Sequence, residues 1–254
     1  IKIYSIYLIN MDKLLAISPI DGRYKDITYP LQKYFSEYAL FKYRLKVEIE
    51  YFIELCNTIP ALSMFSKNNF NVLRNVYINF TITDCQEIKQ IESNTKHDIK
   101  ALEYFIQDRF RKLNMSQFNS FIHFGLTSQD INTSSLMLGI KDSLTELIFP
   151  EIINIKSILD SLSNLWQDIS MLSRTHGQPA TPTTVGKELQ VFVYRLTNEI
   201  KNLERAIFYT KFGGAVGNFS AHLAAYPDIN WSEFADNFIN KLGLVRHKYT
   251  TQIS

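Results

Sequence analysis

The chain carries five histidines, at positions 97, 123, 176, 222 and 247, and histidine is the side chain best suited to proton transfer near neutral pH. His176 lies in SRTHGQPATPTTVGKE (173–188), a stretch rich in Gly, Pro and Thr that interrupts long helical pattern. Gly177 permits close backbone approach there and Gln178 is a neutral donor, so a histidine held on rigid helical supports is a candidate general acid or base. SNTKHDIKALEYF (93–105) sets Lys96, His97 and Asp98 in a row at a helix start, a place that favours anions. HFGLTSQDI (123–131) offers the Thr127 and Ser128 hydroxyls beside free helix-start amides, where an oxyanion is held well. DGRY (21–24) adds Arg23, able to grip phosphate or carboxylate with two parallel bonds, and the Tyr24 hydroxyl. Each stretch also has a plain structural reading: a surface turn for DGRY, a helix-start acid for Asp98, an N-cap for Thr127 and Ser128. The histidines show no short metal-ligand spacing, so no metal is implied.

These residues need elements to hold them, and the periodicity is helical. Tyr38, Phe41, Leu45, Ile49, Phe52 and Leu55 form one apolar stripe on a helix that ends before Pro60. Ile148, Ile152, Ile155, Leu159, Leu162, Trp166 and Ile169 keep a 4,3 alternation. So do Val185, Leu189, Phe192, Leu196, Ile200, Leu203 and Ile207. Such seams predict helices of roughly 40 Å packed at a shallow angle. Strand signals are nearly absent. Thr181 followed by Pro182 reads as the start of the second long helix, and Gly213, Gly214 and Gly217 as its end. Pro150 should begin a new helical segment or kink a continuous one. GGAVG (213–217) lacks the G-x-G-x-x-G spacing of a phosphate loop and reads as a helix terminus. The fold class is therefore all-α, with an N-terminal helical domain over 1–125 and, over 126–254, the first part of an incomplete long-helix bundle.

Composition narrows the function. The 254 residues carry a formal net charge of +2, which leaves no electrostatic footprint of a nucleic-acid binder. Cys56 and Cys85 are far apart and outside any C-x-x-C spacing, as expected of reduced cytoplasmic thiols. No apolar run approaches the roughly 20 residues that span a bilayer. The opening IKIYSIYLIN reads as upstream sequence, with Met11 as the natural start and a weak signal peptide as the alternative reading. The chain stops at TTQIS with apolar seams still to be covered, so a fragment, or coverage by other chains, is expected.

In order along the chain, SPIDGRY, TKHDIKALEYF, FIHFGLTSQDIN, LSRTHGQPATPTTVGKE, GGAVGNFSAHLAAYPDINW and YTTQI resemble the bacterial type of adenylosuccinate lyase, within the fumarase/aspartase superfamily. The resemblance runs from about Ser18 to Ile253. It implies a cofactor-free cytoplasmic enzyme of purine biosynthesis. The reaction is β-elimination of fumarate from adenylosuccinate, giving AMP, and from the succinyl-aminoimidazole-carboxamide ribotide. It also implies a homotetramer, with sites assembled from three subunits, a purine nucleotide as partner, and neither nucleic acid nor membrane. By position, His176 resembles the general acid and His97 the second active-site histidine that orients the substrate, flanked by Lys96 and Asp98. Arg23 and Tyr24 fall on the phosphate site, Thr127 and Ser128 on the site that grips the succinyl carboxylates, and Gln252 on a substrate-contacting glutamine. Many relatives carry another polar residue at the position of Lys96.

One departure stands out. The family's general base is a serine on an S-S-x-M-P-x-K-x-N-P loop, and these 254 residues contain no such segment. The base is expected beyond Ser254, and the chain alone is expected to be inactive. Two other readings compete: a superfamily lyase that releases fumarate from another succinyl-amine, and a non-catalytic helical assembly protein.

Overall fold

The computed structural model describes residues 15–253. The proposed start at Met11 and the IKIYSIYLIN segment lie outside the described residues. Eleven α-helices are present among them. They are α1 (Lys25–Thr28), α2 (Gln32–Phe35), α3 (Glu37–Thr58), α4 (Phe70–Ile78), α5 (Ile82–Thr95), α6 (Asp98–Lys112), α7 (Ser128–Ser143), α8 (Phe149–Leu165), α9 (Val185–Glu204), α10 (Ser220–Ala225) and α11 (Trp231–Lys241). Strands are confined to two small pairs. β1 (Ser170–Thr175) runs antiparallel to β2 (Gln178–Thr184), and the two-residue β3 (Tyr209–Thr210) runs parallel to β4 (Val245–Arg246). The chain divides into two compact units, 1–140 with 209–254, and 141–208. No helix among the described residues is long and apolar enough to cross a membrane.

In the first unit α3 is the central element. Its N-terminus is capped by the Ser36 hydroxyl, which accepts from the Ala39 amide at 3.1 Å. Phe41, Leu45, Ile49, Phe52 and Leu55 are buried as the stripe predicts, and the helix ends two residues before Pro60. Tyr51 packs edge-on against Phe212, Phe234 and Phe238, so α3 and α11 share one aromatic core. Both cysteines are buried and unpaired, and burial pushes the Cys56 thiol up to about 12.

The second unit corrects three expectations. First, residues 170–184 form a β-hairpin rather than an irregular break. Its turn is the pair His176–Gly177, with φ of 50° and 75°. Positive φ at both central residues defines the type I′ turn, whose twist suits a two-residue hairpin. Pro179 and Pro182 are tolerated because a two-stranded ribbon has only edge strands, and a register shift between Leu172 and Arg174 obscures the alternation in the sequence. Second, α9 begins at Val185, capped by Thr184, whose hydroxyl accepts from the Lys187 amide at 3.2 Å; Pro182 pairs with Leu172 inside the hairpin. Third, α9 ends at Glu204, before β3, so Gly213, Gly214 and Gly217 do not terminate it. At 1.5 Å per residue its length is about 30 Å rather than 40 Å. Pro150 lies inside an unbroken helical run, in the first turn of α8 directly after a π-helical turn (Leu144–Ile148).

The ends of α8 and α9 meet at Gly186. Its amide donates to Trp166 O at 3.0 Å, and the Ser163 hydroxyl donates to Gly186 O at 2.7 Å. A Cβ here would stand 2.6 Å from Gln167 Cα, so only glycine lets the helix ends come this close. Val193 and Ile200 are buried, but Ile153, Ile155, Ile158, Leu165, Phe192 and Tyr194 are exposed.

Candidate active site

His97 and Asp98 open α6. The His97 Nδ1 accepts from the Lys100 amide at 3.2 Å and caps the helix, while its ring is largely exposed. Lys96, at φ 54°, closes α5 in the left-handed region, which makes the sharp corner between the two helices. Asp98 caps its own neighbour, accepting from the Ile99 amide at 2.8 Å, and pairs with Arg44 Nη2 at 2.7 Å.

Arg44 belongs to none of the sequence motifs. It is buried on α3, and its Nε donates to Asn132 Oδ1 at 2.8 Å on α7. One guanidinium thus ties the start of α6, with His97 and Asp98, to the helix that begins at Ser128. The signal was available: Arg44 and Glu48 are charged residues lying in phase with the Phe41–Leu45–Ile49 stripe, on the face that must be buried. An Arg44→Met substitution leaves Asp98 and Asn132 without this partner. It is expected to lower unfolding stability by about 1–3 kcal/mol in urea titration. Arg44→Lys should recover less than half, because one ammonium cannot replace a two-sided fork.

Thr127 and Ser128 stand at the start of α7. Asp130 folds back so that its Oδ2 accepts the Thr127 amide at 2.8 Å. Just before this turn, His123 at φ 57° contacts buried Glu48 at 2.6 Å. Burial opposes charge on His123, but Glu48, with Glu103 and Asp130, outweighs it and raises the pKa above 6.5. The stabilisation that His123 adds is complete below the unfolded value and lost as pH rises through the raised one.

His222, on α10, behaves oppositely. It is fully buried beside Phe124, Phe219 and Trp231, with Nε2 2.9 Å from the Tyr51 hydroxyl, which itself donates to Phe124 O at 2.7 Å. This arrangement assigns the proton to Nε2, and Nδ1 has no hydrogen-bond partner. Burial depresses its pKa to about 4; nearby Asp130 raises it and Lys211 lowers it. The unfolded chain therefore takes up a proton between roughly pH 6.5 and 4 that the native state refuses. Stability should fall by up to about 3 kcal/mol across that window. Urea midpoints of His222→Phe, measured from pH 7 to 4, should decline less steeply than those of wild type.

The remaining residues divide clearly. Among the described residues, the contacts of Arg23 and Tyr24 are local: the guanidinium lies 5.4 Å from the Tyr24 ring centre, and Tyr24 precedes α1 without a side-chain capping bond. Gln252 is exposed near the end of the described chain. His176 is exposed at the hairpin tip, in the second unit. The first unit thus links His97, Asp98, Thr127 and Ser128 through Arg44, Asn132 and Asp130.

The family model for lyases matches residues 22–254, and the chain belongs to that family. Its relatives are specific: it is 49% identical to adenylosuccinate lyase of Dictyostelium discoideum, over 96% of this chain and 54% of that protein. It is 45% identical to the adenylosuccinate lyase of Legionella pneumophila (strain Philadelphia 1), over 94% of this chain and 53% of that protein. With that of Escherichia coli K12 it shares 39%, over 96% and 54%. The chain spans about half the length of these relatives. A fumarate lyase from Mesorhizobium shares the fold, with a TM-score of 0.69 at 19% identity over 87% of this chain and 49% of the other.

Proposed function

We propose that this chain supplies part of the active site of a cytoplasmic lyase that eliminates fumarate from adenylosuccinate. The observation that carries the reading is identity of 39–49%, across nearly the whole chain, to proteins named adenylosuccinate lyase. The reaction breaks the bond between the purine 6-amino nitrogen and the succinyl carbon. A base takes a proton from the adjacent carbon, those electrons form the double bond of fumarate, and the nitrogen accepts a proton as AMP departs.

His176 is the proton donor to that nitrogen. His97 orients the substrate, with Lys96 and Asp98 beside it. Thr127 and Ser128 grip the succinyl carboxylates at a helix start, where the dipole favours the charge that builds on a carboxylate as the carbon loses its proton. Arg23 and Tyr24 take the phosphate, and Gln252 contacts the substrate. The same machinery serves the succinyl-aminoimidazole-carboxamide ribotide. The base is a serine that these 254 residues do not supply, and the working unit is a homotetramer. The exposed Ile153, Ile155, Ile158 and Phe192 support self-association, because a soluble monomer rarely leaves so many large apolar side chains in one unit uncovered.

AMP separates this reading from a lyase acting on another succinyl-amine. In calorimetric titration of the polypeptide encoded by the complete gene, AMP should bind saturably and one-to-one per site. Absence of binding at millimolar AMP would remove the purine assignment.

A further inference from the structure

GGAVG is neither a phosphate loop nor a helix end, and its surroundings give it another task. Lys211 and Asp130 are both fully buried and meet at 2.7 Å. Asp130 Oδ1 also accepts the Gly213 amide at 2.9 Å, and Oδ2 accepts the Gly214 amide at 3.1 Å together with the Thr127 amide. Lys211 Nζ donates in addition to Gly214 O. The Thr210 hydroxyl bonds those of Ser134 and Thr133, at 3.0 and 3.2 Å, on the second turn of α7. One carboxylate therefore fastens the glycine loop to the backbone of the Thr127–Ser128 turn.

Both faces of the loop are in tight contact. A Cβ on Gly214 (φ 79°) would stand 3.1 Å from Gly125 O, just ahead of that turn. A Cβ on Gly217 (φ 80°) would overlap Thr250 O and stand 2.8 Å from the Thr250 carbonyl carbon, two residues before Gln252. A side chain at Gly217 would collide with Thr250 and one at Gly214 would press on Gly125, so the backbone of the loop spaces the two segments. A buried ion pair is seldom needed for stability, since apolar replacements often match it, and its better-attested use is to fix register.

We propose that the Lys211–Gly217 segment, locked by the Asp130–Lys211 pair, is a positioning element. It sets Thr127 and Ser128 at the spacing from the Gln252 segment that a succinyl group requires. This rests on the assignment of Thr127 and Ser128 to the succinyl carboxylates. Asp130 and Lys211 act through the loop and touch no substrate.

The test is the double variant Asp130→Asn/Lys211→Met in the complete gene product, which removes both charges together and so avoids stranding one of them. Displacing a positioning contact by about 1 Å costs on the order of 10²-fold. The KM for adenylosuccinate should accordingly rise about tenfold or more. AMP has the same phosphate, ribose and base but no succinyl carboxylates, so its Kd should stay within about twofold. Amide exchange at Thr127 and Gly214 should accelerate. An unchanged KM, equal loss of both ligands, or unaltered exchange at Thr127 would overturn the inference. Wild-type protein that leaves adenylosuccinate intact overturns the proposed function instead, a result independent of how the variant compares with it.

Discussion

His176→Asn is expected to lower kcat for adenylosuccinate cleavage by about 10²–10⁴-fold, the range general acid catalysis supplies. Asparagine is the informative replacement. Position 176 is the first central residue of a type I′ turn at φ 50°, and asparagine adopts that conformation more readily than most residues. The side chain is exposed at a hairpin tip, so its removal opens no cavity. The hairpin, the α8–α9 junction at Gly186 and the melting temperature should therefore be retained while proton delivery is lost. Steady-state kinetics beside thermal melting of the complete gene product check this. A variant whose kcat stays within about threefold of wild type would remove His176 from the chemistry.

Asp130→Ala should be the most destabilising single change, by about 3–5 kcal/mol. It strands the Lys211 ammonium where no solvent reaches and removes the acceptor for the Thr127, Gly213 and Gly214 amides. The uncharged double variant should recover much of that loss, because it leaves no lone charge inside. Urea unfolding of the three proteins measures both quantities. A loss below about 1 kcal/mol for Asp130→Ala would mean that water or rearrangement rescues the lysine, contrary to its complete burial.

What the sequence revealed follows from the range of the forces involved. The α3 stripe was legible because helix periodicity and the Pro60 boundary are local. The hairpin was not, because its signature is a two-residue turn at positive φ, written as His-Gly rather than Asn-Gly, with prolines in the strand that follows. Thr184 caps α9 with the same chemistry expected of Thr181, three residues later, and only pairing across the hairpin selects between them. Motifs named the groups able to handle anions and protons, but not what holds them. Arg44, Glu48, Asp130 and Lys211 do their work across sequence separations of tens of residues, as in the Lys211–Asp130 bond. For Arg44 and Glu48 the only local trace is charge on a helix face that must be buried. The Gly213–Gly217 segment reads as a helix end in the sequence for the same reason, since its contacts at Gly125 and Thr250 are tertiary.

The most direct measurement is product analysis after incubating the complete gene product with adenylosuccinate. AMP and fumarate should appear in a one-to-one ratio at a rate far above the protein-free control, and be lost together in His176→Asn. Adenylosuccinate recovered intact, or fumarate released without AMP, would contradict the account.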